Sequence, residues 1–261
     1  MKRIYIFGIG HKAQHGKDYL AKYINNKVTN SFIVHWADKL KEEVMNKDRN
    51  LPLIYQTIVN NKEVFYSLLN NDGEFLSYHT INSINVPKLH KIFTTRNITE
   101  YWGMDGDGED ELKDGEMLQF WGTDYRRKMF DPDWWVTLTK QNIINLSETY
   151  AYENDPLVIL IPGTRFINEV NCIKQTLLDK NLYNIHNAEI HSHYINITRL
   201  NNDGTIFYSE SRSKDHPSEI ALDDLKIDDT FNDLYNISAV SGDLNKIHLA
   251  ADRLISELNL I

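Results

Sequence analysis

The segment Tyr5-Ile6-Phe7-Gly8-Ile9-Gly10-His11-Lys12-Ala13-Gln14-His15-Gly16-Lys17-Asp18 constrains the fold more than any other stretch of the chain. An apolar strand runs into a turn that ends Gly-Lys, and helix-compatible residues, Tyr19-Leu20-Ala21-Lys22-Tyr23-Ile24, follow at once. That succession puts the first turn of a helix at the carboxyl end of a strand. The unpaired N–H groups and positive end of such a helix attract an anion, and an adjacent lysine reaches its outer oxygens. This is the layout of a phosphate-binding P-loop. The strict pattern is not met. Its first glycine falls on His11, with Gly10 one residue early, and the Ser or Thr after the lysine is Asp18. The competing reading is an ordinary strand–loop–helix with a solvated lysine. Against it, a cation at the positive end of a helix is unfavourable unless an anion joins it.

The rest of the chain repeats the alternation. Ser31 to Trp36 reads as a second strand ending at Ala37-Asp38, and an amphipathic helix begins at Leu40 and runs to Met45. Residues from about 48 to 115 are rich in Asn, Asp and Tyr and read as an insertion of short helices and loops. Helical spacing returns from Trp134 to Leu146, and Leu157-Val158-Ile159-Leu160-Ile161 is the clearest buried strand. A helix is expected over Asn168–Leu178, a strand over Glu189–Ile197 ending at Thr198-Arg199, a last strand over Leu234–Val240 and a closing helix over Leu244–Leu258. The polar stretch 200–220 reads as a lid. Strands alternating with helices predict a three-layer α/β fold with a mostly parallel sheet and helices on both faces. Ligands in that architecture sit beyond the carboxyl ends of the strands, where His11 to Asp18, Asp38, Gly163 to Arg165 and Arg199 fall.

Composition narrows the class. The 261 residues suit one large domain with an insertion, and 41% apolar with 25% charged residues is ordinary for a globular protein. No apolar run is long enough to cross a bilayer. Cys172 is the only cysteine, so no internal disulfide forms; a small buried residue on a helix and a reducing cytoplasm are expected. A net charge of −9 argues against a broad basic surface and a stable nucleic-acid complex, and leaves a nucleotide pocket open.

Each candidate residue has a plain alternative. Asp18 reads as a magnesium ligand through water or as an acid favourable to the helix dipole. Asp38 reads as a helix cap or as a group facing substrate. Arg126 and Arg127 suit bidentate grip on a phosphate, or form a basic surface patch. Arg165 directly follows the most buried strand and opens into the crevice. Ser218 and Glu219 begin a helix or belong to a lid with Arg199, Arg212 and Lys214. His191-x-His193 has no second ligand pair, so no zinc site is expected.

Taken in order, these pieces resemble the deoxynucleoside monophosphate kinases of tailed bacteriophages. Gly16-Lys17-Asp18 is similar to that family's P-loop ending, and Ala37-Asp38-Lys39-Leu40-Lys41 to its second strand end. Gln119-Phe120-Trp121-Gly122-Thr123-Asp124, then Arg127 and Trp135, resemble its central motif. Gly163-Thr164-Arg165 with Glu169, and His216-Pro217-Ser218-Glu219, complete the set. Two positions depart from it: His11 replaces a glycine, and Gly163 replaces an acidic residue.

The resemblance implies transfer of the γ-phosphoryl group of ATP to deoxynucleoside 5′-monophosphates, with Mg2+, by a homodimer in the host cytoplasm. It implies that Lys12, Ala13, Gln14, His15, Gly16, Lys17, Asp18 and Tyr19 hold ATP. Lys17, Arg127, Arg165 and Arg199 would be catalytic. Asp38, Lys41, Gln119, Thr123, Asp124, Arg127, Arg165, Glu169, Arg212, His216, Ser218 and Glu219 would face the acceptor. Asp18 and Asp38 would order the metal, and Trp36, Trp121 or Tyr125 would stack on the base. The alternatives are a P-loop kinase acting on a hydroxymethylated base in phage DNA and a nucleotide-binding module without turnover.

Overall fold

A computed structural model describes residues 1–10, 12–45, 53–60, 63–69, 75–81, 122, 126–127, 131–152, 154–174, 187–209, 214–215, 217–223 and 233–261. Its strands in chain order are β1 (Lys2–Ile9), β2 (Ser31–Ile33), β3 (Leu53–Asn60), β4 (Glu63–Leu69), β5 (Phe75–Ile81), β6 (Leu157–Pro162), β7 (Ala188–Leu200) and β8 (Asp233–Val240). Its helices are α1 (Lys17–Lys27), α2 (Asp38–Met45), α3 (Trp134–Tyr150), α4 (Ile167–Lys174), α5 (Pro217–Ile220) and α6 (Leu244–Glu257). The chain divides into two units, Met1–Trp36 with Val136–Ile261, and Ala37–Trp135.

The first unit is built on a five-stranded sheet in the order β2-β6-β1-β7-β8. Every ladder in it is parallel, with Tyr5 opposite Val158 on one side and His191 on the other. Parallel neighbours need crossover connections, and the helices supply them. All six residues of β6 are buried, as are the last six of β1. A strand covered on both faces has no reason to alternate, which is why these two segments read as unbroken apolar runs.

Alternate side chains feed two cores. Ile4, Ile6, Leu157, Ile159 and Ile161 pack with Val136, Ile143 and Ile144 of α3 and Val170 and Ile173 of α4. Tyr5, Phe7, Ile9, Val158 and Leu160 pack with Leu20, Ala21 and Ile24 of α1 and Ile247, Ala251, Leu254 and Ile255 of α6. With two helices on each face, the unit is a three-layer α/β structure. Each such aliphatic side chain contributes about 1.5–3 kcal/mol when fully buried. Cys172 lies buried on α4, as its sequence context suggests. Asp243 caps α6 by accepting the Lys246 N–H at 3.3 Å.

The expected helical insertion is corrected. Within residues 48–115 the described part is an antiparallel meander, β3-β4-β5. Tyr55, Thr57, Ile58, Val59, Val64, Phe65 and Tyr66 are β-branched or aromatic, and Asn-rich breaks separate the three runs. That chemistry outweighs the irregular polar composition that suggested loops. Several boundaries also move. β2 has three residues rather than six, although the Val34 N–H still reaches Leu160 O at 2.9 Å. The strand expected to end at Thr198-Arg199 runs to Leu200, and an Asn201–Thr205 turn follows it. Among the described residues, no helix is long and apolar enough to cross a membrane.

Candidate functional site

Three strand ends build the site in the first unit. After β1 the chain enters a loop in which Gln14 has φ 59° and Gly16 φ 88°. Left-handed backbone at a non-glycine residue costs energy and concentrates at functional sites. In this loop it turns the chain sharply enough for Gly16 to serve as the N-cap of α1. Gly10 must be a glycine: a Cβ there would lie 2.9 Å from Ile195 O, and its N–H donates to that same oxygen at 2.7 Å.

Lys17 opens α1 and is 6% exposed. Its ammonium donates to Lys12 O at 3.3 Å and lies 3.7 Å from Asp18 Oδ2. Burial at the positive end of a helix removes the reading of Lys17 as a solvated surface lysine. Asp18 is more than half exposed, and its other oxygen is 4.0 Å from His35 Nδ1.

The turn after β6 lies beside Lys17. Gly163 has φ 82°, and a Cβ on it would stand 3.6 Å from Lys17 Cε. The Gly163 and Thr164 N–H groups donate to Ile9 O at 3.0 and 3.3 Å, tying this turn to the end of β1. Glu169 Oε2 accepts from Arg165 N at 2.7 Å and Phe166 N at 3.1 Å. That is a capping contact at the start of α4, so Glu169 fixes the backbone that presents Arg165, where a substrate contact was expected. Trp36 is also corrected. It is 5% exposed, and its indole N–H donates to Thr164 Oγ1 at 3.1 Å, so it packs in the core and offers no face to a base.

The end of β7 is stitched to the loop through His15, which is 3% exposed. Arg199 N–H donates to His15 Nδ1 at 3.1 Å, so the ring proton sits on Nε2, 2.9 Å from Phe207 O. Burial, above all, holds the pKa of this imidazole below its ordinary value. The Arg199 guanidinium stacks at 3.9 Å on Phe207 and donates to Ser241 Oγ at 2.6 Å and Gln14 O at 3.4 Å. Gln14, His15, Arg199 and the Ser241–Asp243 turn after β8 border a recess of about 210 Å³ next to Gly16. Sequence reasoning missed Phe207 and Ser241. A strand followed by Ser-Gly-Asp before a helix was the available signal.

The remaining expected residues divide. Lys12 Nζ is held by Glu219 O at 2.8 Å and Asp223 Oδ1 at 2.6 Å, and Ala13 N–H by Glu219 Oε2 at 2.9 Å. Ser218 lies on α5. The Tyr19 hydroxyl meets His248 Nε2 at 2.6 Å, on the seam between α1 and α6, where an ATP contact was expected. Asp38, Lys41 and Arg127 belong to the second unit. There Asp38 opens α2, the Lys41 N–H bonds Ala37 O at 2.9 Å, and Arg127 is half-buried. Arg126 stacks at 4.4 Å on Trp134, and Trp135 Nε1 donates to Gly122 O at 2.9 Å. Gln119, Trp121, Thr123, Asp124, Tyr125, Arg212 and His216 lie outside the described residues, as does His11.

For a magnesium ion, Asp18 offers one accessible carboxylate beside Lys17, and Gly163 supplies none. One carboxylate fits an ion that keeps several waters and takes its other ligands from phosphate oxygens. Compared with protein-family models the chain matches none, and comparison with curated proteins gives no match.

Proposed function

We propose that this chain transfers the γ-phosphoryl group of ATP to a deoxynucleoside 5′-monophosphate. The observation that carries the reading is Lys17: a buried ammonium at the first position of α1, behind a strained turn, with the backbone of the Gly163 turn packed beside it. A buried cation at the positive end of a helix makes physical sense when an anion completes the site. Lys17 and the loop amides would hold the donor phosphates. Arg165, presented by the Glu169 cap, would meet the acceptor phosphate. The recess bordered by Arg199, Ser241 and Asp243 would receive the donor's base or sugar, because it adjoins the Gln14–Gly16 end of the loop.

A phosphate monoester has its second pKa near ~6, so the acceptor is largely dianionic at neutral pH and needs no strong general base. Its oxygen attacks the γ-phosphorus as ADP leaves. Catalysis of this kind is positioning and charge stabilisation. Magnesium, held through water by Asp18 and directly by phosphate oxygens, would neutralise charge on the transferring group.

ADP formation with ATP and magnesium tests the reading. The panel is deoxynucleoside monophosphates, ribonucleoside monophosphates and duplex DNA, each with wild type and Lys17→Ala. Turnover with one or more deoxynucleoside monophosphates, lost in the variant, is expected. ATP binding with no acceptor turned over would leave a binding module in place of the kinase.

A further inference from the structure

The segment Pro217–Asp223 grips the loop by the groups that a phosphate needs. Glu219 is 5% exposed, and its carboxylate accepts the Ala13 N–H at 2.9 Å. Its backbone oxygen and the Asp223 carboxylate hold the Lys12 ammonium at 2.8 and 2.6 Å. The carbonyl of Lys12 in turn accepts from Lys17 Nζ. Two carboxylates therefore stand on a loop whose strained backbone and buried lysine suit an incoming anion.

The grip is also built to open. The α5 helix has four residues, fewer than an isolated helix needs to persist. Leu222 anchors the segment in the core, while Ile220 is exposed and the Asp223 side chain is nearly half exposed. Short elements with few buried contacts open at low cost. A polyphosphate arriving at Lys17 would meet the Glu219 carboxylate as a like charge and as a competitor for the Ala13 N–H.

We propose that Pro217–Asp223 is a carboxylate latch: Glu219 and Asp223 hold the Ala13 N–H and the Lys12 ammonium, and a polyphosphate must displace them to bind. The proposal rests on the reading of Gly10–Lys17 as a phosphate-binding loop and adds what regulates access to it. Binding and release of the segment are then one equilibrium, so weakening the latch tightens the ligand.

Calorimetric titration with inorganic tripolyphosphate, which has no base or sugar, reads the loop alone. A charged hydrogen bond is worth enough that Glu219→Gln is expected to bind about tenfold tighter than wild type. Asp223→Asn is expected to bind a few-fold tighter. Equal or weaker binding by Glu219→Gln overturns the latch and leaves the phosphate loop standing. No binding by any of the three proteins overturns the loop reading and the latch with it. Amide hydrogen exchange on the unmodified chain needs no variant to fold: adding tripolyphosphate is expected to speed exchange across 217–223. Slowed or unchanged exchange there overturns the latch.

Discussion

Two histidines on neighbouring parts of the same core have opposite surroundings. His15 is in the loop after β1, 3% exposed, and both ring nitrogens are bonded, one to Arg199 N–H and one to Phe207 O. His193 is in the middle of β7, 1% exposed, and among the described residues neither ring nitrogen has a hydrogen-bond partner. It lies instead in an aromatic stack, 4.9 Å from Phe7, 5.8 Å from Tyr235 and 6.0 Å from Tyr5. A satisfied imidazole fixes a loop, whereas an unsatisfied one lowers stability and contributes mainly its shape. The difference separates the region proposed to take a phosphate from one organised around packing.

The largest expected effect falls on the first region. Lys17→Ala should lower turnover by about three orders of magnitude or more, as loss of a charge aimed at a transferring group does. Its thermal melt should stay close to wild type, since removing a cation from the positive end of a helix offsets the loss of its contacts with Lys12 O and Asp18. Full turnover in the variant would remove the loop's claim to be the site.

The second region should show the reverse: a stability effect without a binding effect. Burial, with the neighbouring His191, pushes His193 down to about 4 from 6.5. Between those values the unfolded chain takes up a proton that the folded chain refuses. Stability is therefore lost as pH falls from about 6.5 to 4, by up to ~3 kcal/mol from this group. His193→Phe should remove that component and add about 1 kcal/mol at pH 7. The difference between the two urea-denaturation curves across that range isolates it from the carboxylates. Tripolyphosphate affinity should not change, and a change would undo the separation of the two regions.

His15→Ala joins both readouts. It leaves the Arg199 N–H and Phe207 O without partners, at a cost of about 2 kcal/mol in stability. It should also weaken phosphate binding several-fold by loosening the loop. Equal binding with lost stability would make His15 a packing residue like His193.

Much of the first unit is legible in its sequence because the signals are local. The β1–loop–α1 unit declares itself by an apolar run meeting Gly16-Lys17, and β6 by an unbroken apolar run. The meander β3–β5 is equally local, but its Asn-rich breaks obscure its β-branched runs. What stayed hidden depends on distant partners. Glu219 is 206 residues from the Ala13 N–H that it accepts. Phe207 and Ser241 carry no chemical signature of their own, and they matter only because Arg199 lies between them. Trp36 resembles a stacking surface until Thr164 takes its N–H.

The smallest expected effect concerns Gly163. With φ at 82°, a side chain there is strained, yet its Cβ would have room, 3.6 Å from Lys17 Cε. Gly163→Ala and Gly163→Asp should each lose about 1 kcal/mol of stability for the left-handed backbone, Asp slightly less because it tolerates that region better. Only Asp brings a charge. It would pair with Lys17 and compete with phosphate, so tripolyphosphate should bind a few-fold more weakly to Asp than to Ala at matched stability. Equal affinity in the two variants would mean that the Gly163 turn does not face the anion. Turnover raised by Asp above that of wild type would mean instead that the position has lost a carboxylate the site can still use.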